Sequence, residues 1–139
     1  MIILAVDYGD VRTGVAVCDK TELLAVPVCV ITERDPAALA KKIVDLAAEK
    51  RAETILLGLP KNMDGSEGFR AEAVKSFASQ LSEIAPLPVV FRDERLTTVS
   101  AHRYLNLTDT RGKKRKQTVD AVAAVIILQE YLDYRKRNQ

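Results

Sequence analysis

Five apolar residues, Ile2 to Val6, run unbroken into Asp7 and are followed by Tyr8 and Gly9. A run of that length is too short for a core helix, and a glycine closes it, so it predicts a central strand covered on both faces. Asp7 then stands at the strand's tip. A carboxylate there is costly to desolvate unless hydrogen bonds, a cation or water meet it. Ordinary turn chemistry, an Asx turn, accounts for this stretch equally well. The rest of the chain favours a functional role: acidic groups recur at element ends far from Asp7, at Asp93-Glu94 and at Asp120, and a basic segment precedes the last of them.

A length of 139 residues predicts a single domain, 1–139, able to bury roughly two thirds of its unfolded surface. No apolar run approaches the length of about 18 residues that spans a bilayer, so no membrane partner is expected. The N-terminus shows neither a basic region nor a small-residue cleavage site, which points to the cytoplasm. Cys18 and Cys29 fall in apolar, β-rich stretches and read as core thiols, because their spacing fits no metal-ligand pattern. The net charge of +2 hides an asymmetry. Residues 1–107 carry 13 basic and 15 acidic groups, whereas residues 108–139 carry 8 and 4, so the positive end is a candidate surface for a polyanion.

In order along the chain, a turn over Gly9 to Gly14 leads to a second strand, Val15 to Cys18, and a turn over Asp19 to Glu22 leads to a third, Leu23 to Ile31. Asp35-Pro36 starts a helix, with Asp as N-cap and Pro at the first helical position, and Leu39, Ile43 and Leu46 carry its apolar face. Thr54 to Gly58 is a short buried strand, and Ala71 to Ile84 has helical spacing. Val89 to Phe91 begins a fifth strand that ends in Asp93-Glu94. Thr97 and Thr98 cap a further helix carrying Ala101, Tyr104 and Leu105. Thr108 to Gln117 reads as a polar loop, and a last helix, apolar on most sides, begins near Thr118 with Asp120 in its first turn. Three strands before any helix is an α/β order unlike dinucleotide-binding folds, which pass from strand one straight into a helix. The expected sheet is mixed and five-stranded, three antiparallel strands followed by parallel ones, with helices on both faces. Strands reached by crossovers run parallel to the first, so Asp7 and Glu94 should end on one sheet edge.

The strings DYGDVRTGVA, GLPKNMDGSEG, FRDERLTT and TVDAVAAVIILQ, in this order and spacing, resemble the YqgF family of RNase H-like proteins, whose members are described as pre-16S rRNA nucleases or as Holliday junction resolvases of the RuvX type. The resemblance covers essentially the whole chain. It implies an RNase H-like fold, metal-dependent phosphodiester hydrolysis, and metal-binding carboxylates at Asp7, Glu94 and Asp120. Two divalent ions about 4 Å apart can generate hydroxide near neutral pH and neutralise the leaving oxygen. Mg²⁺, or Mn²⁺, needs only a few carboxylates when substrate phosphate and water complete its shell, so two ions are expected with substrate bound. Asp7 would bridge the ions while Glu94 and Asp120 each complete one. By analogy with the superfamily, the products carry 5′-phosphate and 3′-hydroxyl.

Arg12 and Arg95 flank the proposed site and suit bidentate phosphate contacts, although a salt bridge to a neighbouring acid explains each equally well. Asp10 and Asp93 are spare carboxylates. Lys113, Lys114, Arg115 and Lys116 stand just before Asp120 and are read as contacts to a nucleic-acid backbone, against the plainer reading of a solvated loop. No aromatic residue interleaves with that run, which argues against a stacking platform there. His102 reads as a surface or core-edge histidine. Three functions remain: a nuclease on a ribosomal RNA precursor, with the ribosome as a further partner; a DNA junction resolvase, which needs a symmetric dimer to cut two strands; and a catalytically idle nucleic-acid or ribosome-binding factor. The chain is read as monomer or homodimer. Sugar kinases and actin-like ATPases also open on an Asp-x-Gly strand turn, but they need a second large domain that this length does not allow.

Overall fold

In the computed structural model the described residues are 1–60, 66–93 and 112–138, with backbone alone for 112–120. The elements are β1 (Ile3–Asp7), β2 (Arg12–Val17), β3 (Val26–Thr32), α1 (Pro36–Glu49), β4 (Thr54–Leu59), α2 (Phe69–Ile84), β5 (Val89–Asp93) and α3 (Gly112–Arg137). Alternation along β1 sets the architecture: Leu4 and Val6 enter one core, Ile3 and Ala5 the other, and all four are fully buried. A strand with no solvent face must be central, as the apolar run required. The sheet order is β3-β2-β1-β4-β5, with β1, β2 and β3 antiparallel in succession and β1, β4 and β5 parallel.

The Leu4 and Val6 side is covered by α1 and α2 through Leu39, Ile43, Val74, Phe77 and Leu81. The Ile3 and Ala5 side is covered by α3 through Ala124, Ile127, Leu128 and Leu132. Burying one such Leu or Ile contributes roughly 1.5–3 kcal/mol, so these two stripes anchor the layers. The expected cap is present: Asp35 accepts a hydrogen bond from the Ala37 N–H at 3.3 Å, and Pro36 opens α1. Among the described residues no helix is long and apolar enough to cross a membrane. Both thiols are free, with Cys18 buried, and burial raises the pKa of each.

β2 begins at Arg12 rather than Val15, so Arg12 to Gly14 are strand and not turn, and two further boundaries differ from expectation. β3 begins at Val26 rather than Leu23, and Leu23 and Leu24 are exposed. The preceding turn is held elsewhere: Glu22, at a φ of 56°, takes a hydrogen bond from Arg135 Nε at 2.7 Å and an ion pair from the Met1 amine at 2.6 Å. Those two cations lower the Glu22 carboxyl to about 2. The third difference is at α3, which begins at Gly112 rather than near Thr118, so residues 112–117 are helical and not loop. Lys, Arg and Gln are good helix formers, and their charge alone does not break a helix that continues into a buried stripe. The helix expected around Ala101, Tyr104 and Leu105, and His102 with it, lies outside the described residues.

Candidate functional site

The parallel strands β1, β4 and β5 finish on one edge of the sheet. Val6 pairs with Leu57 and Gly58 pairs with Arg92, so one step further on Asp7, Gly58 and Arg92 lie abreast. Neighbouring strands are about 4.8 Å apart, which separates the Asp7 and Arg92 backbones by about 10 Å. Parity then assigns faces. Asp7 alternates with Ile3 and Ala5, Gly58 with Leu56, and Arg92 with Val90, all of which belong to the α3 side. The Arg92 guanidinium lies over the Tyr134 ring of α3 at 5.5 Å, and its Nε is buried with no acceptor among the described residues. Asp93 alternates with Val89 and Phe91, which line a groove along α2, so the last described carboxylate of β5 belongs to the opposite face.

The path of α3 leads to the same edge. Its C-terminal end is tied to the start of the sheet by Arg135 with Glu22, and Gln129 accepts from the Ala25 N–H at 2.9 Å. Running back from there, the helix reaches Ala124, buried against the strands, and then Asp120 one turn nearer its N-terminus. Asp7 itself is half-buried, as a carboxylate that must meet solvent or a cation should be.

A braced turn follows Asp7. The Gly9 N–H donates to Thr13 Oγ1 at 3.2 Å, and that fully buried hydroxyl donates back to the Gly9 carbonyl at 3.4 Å. A Cβ at position 9 would stand 2.0 Å from the Arg12 carbonyl oxygen, so only glycine fits. From across the edge, Arg70 in the first turn of α2 donates to the Tyr8 carbonyl at 2.9 Å and to Asp10 Oδ1 at 3.3 Å. Asp10, a spare carboxylate in the sequence, thus faces an arginine. Neither Arg70 nor the Tyr8 ring, stacked on Phe77 at 4.5 Å, carried a sequence signal, because the partners are some sixty positions apart.

Of the predicted site residues, the structure describes Asp7 and Arg12 in full. Arg12 is half-buried at the start of β2, opposite Thr32. Glu94 and Arg95 lie outside the described residues, and Asp120, Lys113, Lys114, Arg115 and Lys116 are described by backbone only, in the first turns of α3. Among the described residues no three His, Cys, Asp or Glu side chains gather closely enough to hold a metal ion. Position still fits a cation: a half-buried carboxylate at a rigid strand tip sits beside a strand position with no side chain.

Comparison with known proteins agrees with this architecture. A sequence profile of RuvX, described as Holliday junction resolvase, matches residues 1–134. A protein of Halothermothrix orenii named "Putative pre-16S rRNA nuclease" is 44% identical over 137 residues, 99% of this chain and 98% of that one. One of Cereibacter sphaeroides with the same name is 46% identical over 127 residues, 91% of this chain and 79% of its own. Among solved structures, RuvC of T. thermophilus in complex with Holliday junction substrate superposes with a TM-score of 0.61 at 14% identity, over 99% of this chain and 96% of that one, a likeness of fold. A profile match over nearly the whole chain, with relatives this similar, shows that the chain belongs to the RuvX (YqgF) family of RNase H-like nucleases.

Proposed function

We propose that this chain is a divalent-metal-dependent nuclease acting on a ribosomal RNA precursor, with Asp7, Glu94 and Asp120 as its metal-binding carboxylates. The observation that carries the reading is the place of Asp7: the tip of the central strand, on the α3 side, on the edge toward which the N-terminal half of α3 runs with Asp120 one turn ahead of Ala124. When bound, Mg²⁺ or Mn²⁺ supplies Lewis acidity toward the phosphoryl group and makes hydroxide accessible near neutral pH. Asp7 fixes the position of the site through a strand that cannot shift without exposing two cores. Arg12 and Arg95 hold the phosphate. Lys113, Lys114, Arg115 and Lys116 hold the strand beyond it, Lys116 standing one helical turn ahead of Asp120. The helical form of this run gives it a fixed spacing that a loop would lack.

The RNA substrate is favoured by the names of the relatives, and a DNA four-way junction by the description of the family. A panel of single-stranded precursor-like RNA and four-way DNA junctions, with Mg²⁺ and with Mn²⁺, separates them. The expected result is cleavage of the RNA, an intact junction, and no cleavage by Glu94→Gln. Junction resolution without RNA cleavage would establish the resolvase reading in its place, and inertness toward both would leave a binding factor.

A further inference from the structure

On the face of the sheet away from α3, between the start of α1 and the middle of α2, lies a cavity of about 210 Å³. Its walls are Tyr8, which follows Asp7 directly, Pro36 of α1, and Ala73, Ser76, Phe77 and Gln80 of α2. We propose that this cavity receives one unstacked base of the substrate strand where that strand crosses the sheet edge from the Asp7 face to the α2 face; the inference rests on the nuclease reading above and adds to it a subsite for a single-stranded nucleotide.

Size is the first argument. Pockets that enclose drug-sized ligands begin near about 300 Å³, so this one suits a single ring system and not a whole nucleotide or a peptide helix. Wall chemistry is the second. The Tyr8 ring is pinned flat against Phe77, 18° from parallel, giving a rigid aromatic boundary. The Ser76 hydroxyl and the Gln80 amide stand on the exposed rim and offer both donors and acceptors to a base edge. The third argument is the approach. Phe69, Ala73, Ser76 and Gln80 are spaced four, three and four residues apart and so share one stripe of α2. Phe69 stands one turn outside the cavity and is 85% exposed, an arrangement that a folded domain gains nothing from but that a base can stack upon. Arg70 beside it directs its guanidinium to the Tyr8 carbonyl and Asp10, at the boundary between this cavity and the Asp7 turn, where the phosphate linking the two nucleotides would pass. A paired base cannot enter such a cavity, so the strand there must be unpaired.

The test uses the whole protein with chelator and a single-stranded RNA oligonucleotide carrying 2-aminopurine, its affinity read by anisotropy and its stacking by fluorescence. Wild type should quench the probe at least twofold at saturation. Ser76→Trp, which fills the cavity, and Phe69→Ala, whose side chain the fold does not use, should each weaken binding about tenfold and abolish or halve the quenching, with affinity for a fully paired duplex unchanged. Tight binding and Mg²⁺-dependent cleavage by wild type, with no quenching and unchanged affinity in both variants, would overturn the cavity and leave the nuclease intact. Failure of wild type to bind or cut RNA at all would overturn both.

Discussion

Asp7→Asn should lower the single-turnover rate of Mg²⁺-dependent cleavage about a thousandfold, with the far-UV circular dichroism spectrum of the folded protein unchanged. The substitution keeps the shape of a half-buried side chain at the end of β1, so neither core is disturbed. It removes one anionic ligand of the proposed three-carboxylate site. Metal stabilisation of a phosphoryl transition state is worth several kcal/mol, and about 4 kcal/mol corresponds to three decades in rate. Cleavage at the wild-type rate would remove Asp7 from the chemistry.

Gly9→Ala should act on fold and site together. An added Cβ would lie 2.0 Å from the Arg12 carbonyl oxygen, a backbone atom that no side-chain rotation can move aside. The turn must open, and opening it breaks the paired hydrogen bonds between Gly9 and the buried Thr13 hydroxyl. Overpacking of this kind costs about 1–3 kcal/mol, and loss of a buried hydroxyl's partner places the expectation at about 3 kcal/mol, read from urea unfolding. Because the turn continues directly from Asp7, a displacement near 1 Å should also lower the cleavage rate of the folded variant about a hundredfold. Wild-type stability and rate together would show that the turn is adaptable and does not position the carboxylate.

What could be read from the sequence was whatever is encoded by near neighbours. The run Ile2 to Val6 announced a strand buried on both faces, and Asp35-Pro36 announced a helix start, because alternation and capping are local rules. Strand parity adds something the string Arg92-Asp93-Glu94 conceals: Asp93, paired with Leu59, alternates onto the α2 face of the sheet while Asp7 alternates onto the α3 face. The start of α3 was hidden because a run of four cations resembles a loop although each is a good helix former. Arg70 with Tyr8 and Asp10, and Tyr8 with Phe77, were invisible for a different reason: nothing local marks two residues that meet only after β4 and α2 have folded across β1. The assignment of Glu94 and Asp120 came from the resemblance to a family and not from spacing.

Binding of Mn²⁺ followed by electron paramagnetic resonance tests the proposed three-carboxylate site most directly, since it needs no substrate. Wild type should bind Mn²⁺ saturably, and Asp7→Asn, Glu94→Gln and Asp120→Asn should each weaken that binding at least tenfold, as removal of one ligand from a shared centre must. Equal Mn²⁺ affinity in wild type and all three variants would contradict a common metal centre at these residues.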